Sequence, residues 1–104
     1  MAMRPAPLSR WDDATLLGRL DRGEIRALRY TVWDLFPSVS GMMERVEIAI
    51  RPDGDGYAGV GEVVETDFGI RAAPVQARWT RAELEVFMAA ARASDAPDVW
   101  IDVP

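Results

Sequence analysis

Between Glu44 and Arg51 the chain alternates: Val46, Ile48 and Ile50 fall on one side, Arg45, Glu47 and Arg51 on the other. A period of two belongs to a strand with one buried face. Pro52-Asp53-Gly54-Asp55-Gly56 follows. Pro fixes φ, Asp bonds its own backbone and Gly tolerates positive φ, so a turn is expected there. Tyr57 to Thr66 then reads as the return strand of a hairpin, with Gly59 and Gly61 marking a bulge or a close backbone approach.

The same pattern places the other elements. Asp12 and Asp13 open a helix that runs to about Arg22, with Ser9 or Asp12 as its cap, Leu16, Leu17 and Leu20 as its apolar stripe and Gly23 as its stop. Ile25 to Leu35 predicts a strand with Leu28, Tyr30 and Val32 on one face and Arg29, Thr31 and Trp33 on the other. A strand from about Ile70 to Trp79 contains Pro74, which cannot donate to a ladder and so puts this strand at an edge. Thr80-Arg81-Ala82-Glu83 has the form of a capping box, and Leu84, Phe87, Met88 and Ala91 repeat at helical spacing behind it. Val99, Ile101 and Val103 alternate with Trp100 and Asp102, enough for a short strand in the tail.

These elements predict an α+β fold: a four-stranded antiparallel meander sheet with an N-terminal and a C-terminal helix packed on it as a two-layer sandwich. At 104 residues the chain has the length of one domain, 1–104, with 1–8 expected as a loose lead-in.

Composition narrows the chemistry. There is no Cys and no His, and all twelve cations are Arg. Disulfides, thiolate nucleophiles, histidine bases and lysine Schiff bases are therefore out of reach. The net charge of −5 comes without a basic stripe, which disfavours nucleic acid and leaves an acidic surface suited to a basic partner. No apolar leader or membrane-length run is visible, so a cytoplasmic protein that does not enter a membrane is the expectation.

No motif brings a cofactor or metal. Asp53-Gly54-Asp55-Gly56 departs from a calcium loop at its fifth position, Tyr57, and again at its sixth, Ala58. Gly54, Gly56, Gly59 and Gly61 do not form a phosphate loop, and Ser38 and Ser40 have no histidine to activate them. Of the carboxylates, Glu62 and Glu65 are an odd number apart and are expected on opposite faces of their strand.

The segment Trp33 to Met43 is unusually apolar for a connection, with Leu35, Phe36, Val39, Met42 and Met43 in it. Trp, Phe and Met are typical of interface cores. Either the segment caps the end of the core or it forms a contact patch; Trp79 and Trp100 are expected in the core. The function these features favour is a small non-enzymatic binding or adaptor protein, of inhibitor or immunity type among the variants, working on a protein partner or by self-association. Its contact residues would be Arg29, Trp33, Phe36, Val39, Met42 and Met43. The alternative is a small-ligand binder or enzyme with a pocket between sheet and helices, using Arg29, Tyr30 and Glu62.

Overall fold

The capping box at Thr80 starts the longer helix as its residues dictate. The Thr80 hydroxyl accepts from the Glu83 amide at 3.2 Å, and the Glu83 carboxylate accepts from the Thr80 amide at 2.9 Å. Asp12 caps the shorter helix by accepting from the Thr15 amide at 2.8 Å. These bonds hold the carboxyls of Asp12 and Glu83 below their ordinary range. The shorter helix closes at Gly23, whose φ of 77° is the left-handed conformation that glycine supplies.

The computed structural model describes residues 2–33, 44–66, 73–94 and 98–104. In chain order these form β1 (Ala2–Pro5), α1 (Asp13–Asp21), β2 (Ala27–Trp33), β3 (Glu44–Asp53), β4 (Gly56–Thr66), β5 (Ala73–Trp79), α2 (Arg81–Ala93) and β6 (Asp98–Val103). The strands make one sheet in the order β1-β6-β2-β3-β4-β5, every neighbouring pair antiparallel.

The α+β class and the meander β2 to β5 agree with the sequence, and the edge position of β5 follows Pro74. The sheet is wider than four strands. The tail strand β6 does not extend the meander past β5; it inserts beside β2, and Ala2–Pro5, expected as a lead-in, pairs with its far side. β1 is too short to carry a periodic signal, and it is a strand because β6 offers it a free edge.

The two described helices both lie on one face of the sheet. Leu16, Leu17 and Leu20 of α1 and Leu84, Phe87 and Met88 of α2 pack on Leu28, Tyr30, Val32, Val46, Ile48, Ile50, Val99 and Ile101. Tyr30 meets Phe87 edge-on with ring centroids 5.4 Å apart.

Two polar clusters tie the helices down. The Arg92 guanidinium donates to Asp13 Oδ1 at 2.9 Å, to the Leu8 carbonyl at 3.2 Å and to the Trp11 carbonyl at 2.9 Å. One planar fork thus joins α2 to the start of α1 and to the segment before it. At the other end the Tyr57 hydroxyl donates to Asp21 Oδ1 at 2.6 Å, while Arg81 pairs with the second oxygen. Trp11, half-buried, lies under the Arg19 guanidinium 4.0 Å from its ring centre.

Glycine at 61 reflects a close approach, as expected. A Cβ there would collide with the Glu47 carbonyl and lie 2.7 Å from Ile48 Cα. Gly61→Ala is therefore expected to destabilise the fold by about 1–3 kcal/mol or more through overpacking. Arg92→Ala is expected to cost about 2 kcal/mol, and Arg92→Lys to recover little of it, because one ammonium cannot serve three acceptors in the fork's plane. Urea unfolding midpoints at constant slope check both.

Candidate functional site: the uncovered sheet face

The alternation that fills the core also decides what faces away from it. Arg29, Thr31 and Trp33 of β2, and Arg45, Glu47, Ala49, Arg51 and Asp53 of β3, project from the side without helices. β4 adds Ala58, Val60 and Glu62, β6 adds Asp98 and Trp100, and β1 adds Met3.

Register sets these side chains in rows across the strands. Trp100, Arg29, Ala49 and Val60 stand in one row. Asp98, Thr31, Glu47 and Glu62 stand in the next. Glu47 and Glu62 are directly opposite each other, an arrangement that is destabilising for like charges. Among the described residues neither has an ion pair, and the same holds for Arg29 and Arg51. Asp98 accepts from Trp100 Nε1 at 2.7 Å and steadies that ring. Arg45 pairs with Glu65 at 3.1 Å, and Arg78 with Asp53.

The rows border a groove of about 650 Å³ whose walls include Met3, Arg29, Thr31, Glu47, Val60 and Trp100. It lies along the outer surface of the sheet and is open to solvent on one side. The expected pocket between sheet and helices is not where the concavity lies, because the leucines of α1 and α2 occupy that space. Arg29 and Glu62 do border the groove, but the Tyr30 ring points the other way, into the core. Burial there pushes the Tyr30 phenol up in pKa. Tyr57 is pushed up as well, first by burial and then by its hydrogen bond to Asp21.

Among the described residues three of the four exposed large hydrophobics are on this face: Met3, Trp33 and Val60, at 49%, 41% and 63% exposure. Trp100, half-buried, joins them. It was expected in the core, but Val99 and Ile101 take the inward positions of β6. Trp79 is half-buried and packs on Phe87 with centroids 5.2 Å apart. Of the expected contact residues, Arg29 and Trp33 share the uncovered face; Phe36, Val39, Met42 and Met43 lie outside the described residues.

Glu65 corrects the parity argument. The register slips between Arg45 and Val46, so Arg45 pairs with Glu65 while Val46 pairs with Val63. The extra β4 residue, Val64, resets the alternation and brings Glu65 to the same face as Glu62. Met3, Val60 and Trp100 were missed as surface residues. For Trp100 the signal was present, since alternation with Val99 and Ile101 requires it to face outward. For Val60 no local signal existed, since Gly59 and Gly61 beside it show no side-chain pattern.

Among the described residues two buried side-chain atoms lack a hydrogen-bond partner, Arg19 Nε and Asp102 Oδ1; Asp102 is 2% exposed. It lies between Met3 and Ala27 in register. No group of three or more acidic residues converges to hold a metal ion among the described residues. No helix there is long and apolar enough to cross a membrane. Compared with protein-family models, with curated proteins and with solved structures, the chain finds no match.

The tyrosine shifts carry a pH signature. In the unfolded chain both phenols ionise near pH 10. In the folded chain they resist ionisation, so their contribution is fully present below that pH and is lost as pH rises above it. Denaturant melts from about pH 8 to about pH 11 are expected to show falling stability at the alkaline end, with a shallower fall in Tyr30→Phe.

Proposed function

We propose that this chain is a protein-binding module whose contact surface is the uncovered face of its sheet. The observation that carries this reading is the gathering of Met3, Trp33, Val60 and Trp100 on the face that none of the described helices covers. Tryptophan and methionine are side chains enriched at interface centres, where large contact area is gained at low entropic cost. The charged rows beside them supply the polar rim that fixes orientation.

The groove's shape supports a protein surface over a small molecule. Small-molecule sites bury most of their ligand. This groove runs along the outside of a sheet and would leave much of a small ligand in water. Its polar groups are spread in rows and do not converge on a point.

The test is a capture experiment with two variants. Val60→Asp places a charge in the centre of the face. Val86→Asp does the same on α2, where Val86 is exposed but stands apart from the sheet. A partner held by the wild type and by Val86→Asp, and lost by Val60→Asp, is the expected result. Retention by Val60→Asp would move the contact elsewhere and overturn the assignment.

A further inference from the structure

We propose that the uncovered face is the contact between two copies of this chain, packed face to face about a two-fold axis through Ala49. This names the occupant of the binding face proposed above and rests on that reading.

The outward positions of β3 carry a self-complementary charge series. In order they are Arg45, Glu47, Ala49, Arg51 and Asp53. Read as charges, the series is plus, minus, neutral, plus, minus. Reversing it about Ala49 inverts every sign. A two-fold axis through Ala49 and across the strands makes this reversal in the second copy, since it keeps each strand over its counterpart and inverts the direction along it. Glu47 then faces Arg51 of the second copy, Arg51 faces Glu47, and Arg45 and Asp53 face each other in the same way. The contact is isologous and closes at two subunits.

The second copy also answers Glu47 and Arg51, which have no ion pair among the described residues. Among the described residues Glu47 and Glu62 oppose each other without a cation, and Arg51 has no carboxylate. The symmetry brings Arg51 of one copy over that acidic pair in the other. Sheets stack about 10 Å apart with their strands within about 30° of alignment, a gap that glutamate and arginine bridge from opposite sides. Ala49 and Val60, neighbours in register, put small and apolar side chains on the axis. The twist of the sheets carries the outer pairs apart, so Glu47 and Arg51, nearest the axis, decide the register.

Arg29 shares the row of Ala49 and lies close to its own symmetry mate. Two guanidiniums there oppose association, so replacing one side chain with an apolar one strengthens it. Each copy carries a net charge of −5, but repulsion between charges far apart is screened beyond about 8 Å in physiological salt, which leaves the local pairs in control.

Sedimentation velocity from about 1 μM to about 1 mM reads the equilibrium directly. The wild type is expected to form a dimer and no larger species. E47R alone and R51E alone are each expected to weaken it roughly tenfold or more, and the double variant E47R/R51E to restore it to within about threefold. Arg29→Leu is expected to tighten it. Thermal melts of each variant confirm that folding is retained. A wild type that remains monomeric across the range overturns the proposal, as does a folded double variant no better than the single ones. If the chain is monomeric yet Val60→Asp still releases a different protein, the face binds that partner and the second-copy assignment alone falls. If the chain is monomeric and captures nothing through this face, both readings fall.

Discussion

The contact between two leucine-rich helix faces and one side of a six-stranded sheet is the constraint on which the other features depend. Leu16, Leu17 and Leu20 come from one helix, Leu84, Phe87 and Met88 from the other, and they close on the inward residues of β2, β3 and β6. A helix pair of nine and thirteen residues can cover one face of such a sheet and no more. The molecule therefore has a dry side and a wet side, and a strand's period of two sorts every residue between them.

Arginine does the work of holding the helix layer in place. Arg92 reaches Asp13 and the carbonyls of Leu8 and Trp11, so the end of α2 and the entry to α1 are fixed by one side chain. Arg81 joins Asp21 and Tyr57 at the opposite end of the helix pair. In a chain without lysine or histidine these planar forks are the available way to bind several acceptors at once. Half-buried pairs of this kind lose less to solvent than exposed ones do, which is why Arg92 matters more than the Arg22–Glu24 pair on the surface.

The wet side is not an ordinary solvated face. Large apolar side chains sit beside carboxylates that oppose each other and arginines, Arg29 and Arg51, that have no ion pair among the described residues. A sheet face that only met water would gain from interleaving those charges. Here Arg51, the complement of Glu47, lies four residues further along the same strand, about 13 Å away within one molecule but within reach of a second. The groove between Trp100, Arg29 and Val60 is the relief of that face, not a pocket closed by the fold.

Much of the architecture was already written in local patterns. The caps at Asp12 and Thr80, the helix stripes, the hairpin, the inward faces of β2 and β3 and the edge position of β5 all depend on residues within a few positions of one another, and periodicity or turn chemistry reports such contacts. The strand at Ala2–Pro5, the insertion of β6 beside β2 and the bulge that turns Glu65 outward depend on pairings between distant segments, which a one-dimensional pattern does not encode. The same division holds for the candidate site. Arg29 and Trp33 were legible because β2 alternates cleanly. That the helices lie on the side of Tyr30, leaving Met3, Val60 and Trp100 on a shared open face, was decided only when six strands from both ends of the chain came into register and a single helix layer chose one face to bury.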